Sequence, residues 1–187
     1  MDLERSLQPT GPLEKIVRKL NPDEDNNAKA AVGILFREDQ GELEFLLVKR
    51  AEVQGDPWSG DMAFPGGKKC PDDRNLLETV MREVMEETNI HLEPSQYLGS
   101  MDPLISAVRP SMAVTPMVFR LYDVPEIRIN EELSYHVWTR FSNLQGSKGH
   151  ALVKNRYDTD VFYVGDDVVW GLTFRMLERL LRLVEED

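Results

Sequence analysis

Apolar residues recur at helical spacing in three stretches of the chain. After Pro12, the residues Leu13, Ile16, Val17 and Leu20 mark one face of a short amphipathic helix, and Asn21-Pro22 ends it. Over residues 76–88, Leu77, Met81, Val84 and Met85 form a stripe that predicts a second helix with that side towards the core. Asn75 followed by Glu78 has the form of a capping box, with Asn in place of Ser or Thr. Near the end of the chain, Trp170, Phe174, Leu177, Leu181 and Val184 predict a third helix buried along one side, with Asp166 or Asp167 as its cap.

Between the helices the pattern changes to β-prone runs. Residues 28–37 and 43–49, joined by a turn at 38–41, read as a hairpin. Residues 97–101, 112–121, 133–141 and 160–164 read as further strands. Thr115-Pro116 implies an edge position or a bulge, because proline donates no ladder hydrogen bond. Residues 54–60 form a loop whose Trp58 is read as a packing residue, and residues 102–111 form another. Residues 145–150 are polar and glycine-containing, so mobility is expected there. Lys148, Lys154 and Arg156 are candidates to close over an anionic substrate, set against the plainer reading of a solvated loop. The mixture predicts an α/β domain over residues 28–187. A helix and linker at residues 1–27 precede it and pack on the domain edge or on a partner subunit.

The polar side of the middle helix carries the candidate chemistry. Glu83, Glu86 and Glu87 are spaced i, i+3, i+4, so their carboxylates project from one face. Like charges at that spacing destabilise a bare helix. A divalent cation offsets the repulsion, and Mg²⁺ suits a site of few carboxylates that also shares phosphate oxygens with a substrate. Alone, the glutamates would read as a solvated acidic face. The Gly66-Gly67 turn upstream changes that, because glycine lets the backbone approach a metal or phosphate closely. Arg82 is read as an orienting group, since a guanidinium grips a carboxylate at two points. The stretch Gly66-Gly67-Lys68 is not a P-loop: it has no Gly five residues before Gly67, and Lys69 stands where Ser or Thr is needed.

Composition narrows the partners. A net charge of −11 argues against a nucleic-acid polyanion and leaves a small phosphorylated substrate, reached through a cation. Three histidines and one cysteine, Cys70, make a structural zinc site improbable and an internal disulfide impossible. His91, His136 and His150 read as surface or packing residues. The lone cysteine fits a reducing compartment, the N-terminus lacks an apolar signal region, and no run is long and apolar enough to span a membrane. A cytoplasmic monomer or homodimer is expected, with no nucleic-acid or membrane partner.

The stretch Arg82-Glu83-Val84-Met85-Glu86-Glu87-Thr88-Asn89-Ile90 resembles the core of the Nudix box, R-E-U-x-E-E-x-G-U, with U aliphatic. Asn89 replaces the final Gly, a mild change because both tolerate the left-handed end of a helix. Counting back from Arg82, Lys68 stands where the box has its first Gly and Arg74 where it has a Glu that usually holds the box arginine. Asp72, Asp73 and Glu78 are the candidates to replace that Glu. Phe64-Pro65-Gly66-Gly67-Lys68, Gly55-Asp56-Pro57-Trp58-Ser59-Gly60 and the region from Val164-Gly165 to Thr173 are similar to the coenzyme A pyrophosphatase-like branch. That branch's stricter signature has an arginine after a K/R-S pair, which residues 50–54 lack.

The resemblance implies an α/β/α sandwich with a mixed sheet and metal-dependent hydrolysis of a diphosphate linkage. Coenzyme A or a relative leads as substrate. ADP-ribose or another nucleotide is the alternative within the enzyme class, and a catalytically silent binding domain the alternative outside it. It implies Mg²⁺, with Mn²⁺ as substitute, on Glu83, Glu86, Glu87 and the Gly67 carbonyl. Glu132, a few residues before Trp138, is a further candidate to bind metal or activate water; one of the box glutamates is the other candidate base. Arg50, Lys68 and Arg109 are the cations expected to meet the substrate.

Overall fold

The computed structural model describes residues 9–23, 27–107, 110–123 and 126–185. In chain order its elements are α1 (Gly11–Val17), β1 (Ala30–Asp39), β2 (Glu42–Arg50), β3 (Met62–Ala63), β4 (Gly66–Lys68), α2 (Leu76–Thr88), β5 (Tyr97–Ser100), β6 (Leu104–Ile105), β7 (Ala113–Arg120), β8 (Leu133–Arg140), β9 (Lys148–Val153), β10 (Tyr157–Val164), β11 (Asp167–Val169) and α3 (Gly171–Glu185). The main sheet runs β3-β2-β1-β7-β5, with β8 also paired to β2 and β6 to β7. It is mixed because β1 and β7 are parallel while β1 and β2 are antiparallel.

β1 is buried on both faces, so it reads in sequence as one apolar run rather than an alternation. Ala30, Ile34 and Phe36 meet a core shared with α1, α3 and the small β9–β11 sheet. Ala31 and Leu35 meet a second core closed by Leu76, Leu77, Val80 and Val84 of α2. Helices thus cover both faces, giving an α/β/α sandwich. At Gly33 a Cβ would stand 2.9 Å from Val80 Cγ1, so only glycine admits α2 this close to the sheet. Leu13 and Ile16 of the N-terminal arm lie in the first core, and Lys15 and Lys19 donate to the Val184 and Leu183 carbonyls at the end of α3.

The β1–β2 hairpin positions the site. Its two-residue turn, Gln40-Gly41, has both residues in the left-handed region, as a tight antiparallel turn requires. The strands pair directly only from Phe36 opposite Phe45 to the turn. Beyond that point they diverge, and the chain at 62–68 fills the gap: β3 pairs with β2 and β4 with β1. This wedge carries Pro65-Gly66-Gly67 under α2.

Several sequence expectations change. Met85 is 43% exposed, whereas Val80 is fully buried; the core stripe of α2 runs through Leu77, Val80 and Val84. Half of the capping box holds: Asn75 accepts from the Glu78 N–H at 2.9 Å, but the Glu78 carboxylate turns back to Arg74. Pro116 sits in an interior strand, not an edge or bulge. Its carbonyl accepts the Met101 N–H at 2.9 Å, and its missing N–H falls on the same side, where β5 stops at Ser100 and β6 begins at Leu104. Residues 145–150 are not a free loop: 145–147 make a 3₁₀ turn, and from Lys148 the chain is β9, laddered to β10. Neither Asp166 nor Asp167 caps α3. Asp167 belongs to β11 and pairs with Lys49, and Trp170 precedes the helix, donating its Nε1–H to Asp61 at 2.9 Å.

Candidate active site

α2 starts at Asn75 because its side chain caps the first turn, and ends at Asn89, whose φ of 59° breaks the helix. Between these ends the acids take three different environments. Glu86 is exposed. Glu83 lies against β4, so close that a Cβ on Gly67 would stand 2.5 Å from its carboxylate. Glu87 is 4% exposed and accepts the Gly66 N–H at 2.9 Å. The glycine pair therefore does two jobs: Gly66 donates to one carboxylate, and Gly67 leaves room for another.

Arg82 organises the group. Its Nε and Nη2 donate to the two oxygens of Asp73 at 3.0 and 2.9 Å. Its Nη1 reaches Glu83 at 2.9 Å and Glu86 at 3.3 Å, and Nη2 also donates to the Lys68 carbonyl at 3.2 Å. Asp73 is fixed in turn by the Cys70 N–H at 2.8 Å and the Thr79 hydroxyl at 3.0 Å. Arg82 holds the Asp73 carboxyl down to about 2, with the Cys70 and Thr79 bonds adding to the effect against its burial. Of the three acids that sequence offers for the missing box position, Asp73 holds the arginine. Glu78 pairs with Arg74, and Asp72 is exposed.

The negative charge is not balanced by these contacts. Burial pushes the Glu83 carboxyl up; Arg82 opposes this, while Glu86 and Glu132 add to it. Burial pushes Glu87 up to about 7; the Gly66 N–H opposes it, the charge of Glu83 adds to it, that of Arg50 opposes it, and that of Glu132 adds to it. Glu132 is exposed, with its carbonyl accepting the Ala51 N–H at 2.8 Å, so the start of β8 is tied beside the end of β2. A set of hard oxygen donors that resist ionisation together fits a divalent cation. Among the described residues no three acidic, histidine or cysteine groups converge into a ready-made metal cluster, and Arg82 spans Glu83 and Glu86.

The expected substrate cations divide. Arg50 closes β2 within electrostatic reach of Glu87 and is ion-paired with Asp56 at 2.9 Å. Lys68 is exposed at the end of β4. Arg109 lies outside the described residues. Lys148 pairs with Glu178, and Lys154 pairs with Asp61 and donates to the Pro57 carbonyl, so both are engaged within the fold. His91 pairs with Glu93 and His150 with Asp158 and Asp160, none of them an acid of α2. Asp56 is the participant that sequence reading passed over. Its place in a Gly-Asp-Pro-Trp turn is visible, but its bond to Arg50 forms only when the loop folds back.

A family model described as the NUDIX domain matches residues 27–157. The chain belongs to the Nudix family. A protein named "Uncharacterized Nudix hydrolase NudL" from Yersinia enterocolitica is 30% identical to it over 154 residues, covering 74% of this chain and 73% of that one. A protein of the same name from Photorhabdus laumondii is 27% identical over 151 residues, covering 75% and 77%. Among solved structures, the MutT protein from Methanosarcina mazei Go1 superposes with a TM-score of 0.56 at 25% identity, over 86% of this chain and 96% of that one. A MutT/nudix family protein from Enterococcus faecalis gives 0.59 at 16% identity, over 97% and 71%, which is a likeness of fold. This Nudix hydrolase is thus an enzyme of the class that cleaves phosphorus-containing anhydrides.

Proposed function

We propose that this Nudix hydrolase cleaves the diphosphate linkage of coenzyme A or a closely related nucleoside diphosphate derivative, using Mg²⁺, with Mn²⁺ able to substitute. The observation that carries the reading is the burial of Glu83 and Glu87 against Gly66-Gly67, where Glu83 shares the Arg82 guanidinium with Asp73 and Glu86, and Glu87 accepts the neutral Gly66 N–H. Glu83, Glu86, Glu87 and the Gly67 carbonyl would hold the ion, which supplies charge neutralisation at the phosphates and activation of water. Arg82, locked to Asp73, orients Glu83 and Glu86. Glu132 or one of the α2 glutamates accepts the water proton. Arg50 and Lys68, with Arg109, meet the substrate's anionic groups. Water adds to one phosphorus, the bridging P–O bond breaks, and two phosphate monoesters leave.

The silent-domain alternative drew on the arginine at position 74 where the family box has its Glu. Asp73 supplies that carboxylate, which favours activity. The coenzyme A branch draws on the Pro-Gly-Gly and Gly-Asp-Pro-Trp-Ser-Gly stretches. We further propose a cytoplasmic protein, in line with its single exposed Cys70, acting as a monomer or homodimer. The test is mass-resolved chromatography of coenzyme A, ADP-ribose, NADH and a dinucleoside polyphosphate incubated with the protein and Mg²⁺. Conversion of coenzyme A to 4′-phosphopantetheine and 3′,5′-ADP is expected. Cleavage of another member alone replaces the substrate but keeps the chemistry, and no cleavage of any by folded protein overturns the proposal.

A further inference from the structure

Arg50 is held in an unusual way. Its Nη2 donates to Asp56 Oδ2 at 2.9 Å, and about a third of its side chain, 32%, remains exposed. Its Nε is buried with no acceptor among the described residues. Leaving a buried charged donor unmatched costs the fold stability, so this placement is not one that folding favours for its own sake. Two carboxylates compete for the guanidinium. Asp56 has it by a hydrogen bond, while Glu87 feels only its charge.

Asp56 is built to win that competition. Its other oxygen, Oδ1, accepts the Trp58 N–H at 3.2 Å, which fixes the carboxylate to its own turn. The turn is anchored at two further points from the β9–β10 hairpin. Lys154 donates to the Pro57 carbonyl and pairs with Asp61, each at 2.9 Å. At its start, the Arg50 N–H donates to the Asp61 carbonyl at 3.0 Å, closing the loop 50–61 on itself.

We infer that Asp56 is a positioning residue: it holds the Arg50 guanidinium away from Glu87 so that the exposed part of the fork meets a phosphate group of the substrate. The inference rests on the proposed function for its substrate class, a diphosphate, and adds the residue that prepares the cation. Without Asp56 that bond is gone, and the fork is free to turn within electrostatic reach of Glu87. A fork held at one nitrogen also loses less freedom on binding a phosphate than a free side chain.

The experiment is calorimetric titration of imidodiphosphate, a diphosphate that is not hydrolysed, into the full chain saturated with Mg²⁺. Asp56→Asn is the variant of choice because an amide oxygen still accepts the Trp58 N–H. We expect Arg50→Ala to bind about tenfold more weakly or worse, as loss of one charge-assisted hydrogen bond implies. Asp56→Asn weakens binding several-fold in the wild-type background and adds nothing in Arg50→Ala. Asp56→Glu, which keeps the charge, recovers part of the loss, and the thermal midpoint of Asp56→Asn, read alongside, stays near that of the wild type. An Asp56→Asn protein that binds like the wild type overturns the inference. So does one that loses the same factor in both backgrounds, since Asp56 then acts independently of Arg50. Wild-type protein that does not bind the probe also overturns it. A protein that binds with this pattern yet cleaves nothing in the substrate panel keeps the inference and discards the activity.

Discussion

Replacing Asp73 by Asn removes one charge at nearly constant shape and isolates the grip on Arg82. The folded Asp73 carboxyl titrates at about 2, against 3.8 for an unperturbed one. That gap, at about 1.4 kcal/mol per pKa unit, makes the ionised form worth about 2 kcal/mol to the folded state. The size is reasonable for a carboxylate whose side chain is 7% exposed beneath an arginine that is 29% exposed. Because the folded value is lowered, the contribution is complete above about pH 4 and is lost as pH falls towards 2. Urea denaturation at pH 7 and pH 5 should therefore give the same deficit for Asp73→Asn, and a thermal midpoint lower by about 4–8 °C. Turnover should fall as well, because Glu83 and Glu86 lose an oriented partner. Glu78→Gln breaks only the exposed pair with Arg74 and should leave the midpoint in place. An unchanged Asp73→Asn midpoint, a deficit that closes between pH 7 and 5, or an equal deficit in Glu78→Gln would refute the assignment of Asp73 as the arginine's partner.

Glu87→Gln should abolish turnover with the fold intact. In metal-free protein burial raises the folded Glu87 pKa to about 7, so its ionisation opposes folding above the unfolded value of 4.5. The Gln variant should accordingly melt higher than metal-free wild type at pH 8, with the gap closing towards pH 4.5; a lower melting point at pH 8 would contradict the electrostatics. Gly67→Ala should cut turnover sharply while the far-ultraviolet circular dichroism stays unchanged, because the new methyl falls 2.5 Å from the Glu83 carboxylate. Normal turnover would remove the close approach of β4 to α2 from the account. Leu13→Ala, at a side chain 1% exposed in the main core, should cost about 2–5 kcal/mol in chemical denaturation. A loss below about 0.5 kcal/mol would make the N-terminal arm an appendage rather than part of the core.

Local chemistry was legible in the sequence. The bounds of α2, 76–88, follow from an Asn that caps, an Asn that tolerates positive φ, and an apolar period between them. The spacing of Glu83, Glu86 and Glu87 puts the acids on one side without reference to any other part of the chain. The glycine pair announces a close backbone approach. Tertiary structure alone decided the rest. Whether Asp72, Asp73 or Glu78 holds Arg82 depends on how a short loop wraps around the Cys70 N–H and the Thr79 hydroxyl, and all three lie within reach along the chain. The choice of Val80 over Met85 for the core depends on where Gly33 lets α2 settle on the sheet. Asp167 looked like a helix cap and became the partner of Lys49, 118 residues away. The bond between Asp56 and Arg50 belongs to the same kind: nothing in the sequence pairs the two residues, and only the return of the loop brings the two charges together. Patterns of one element are written in the periods of its own residues; pairings between elements depend on distances that exist only after the sheet has formed.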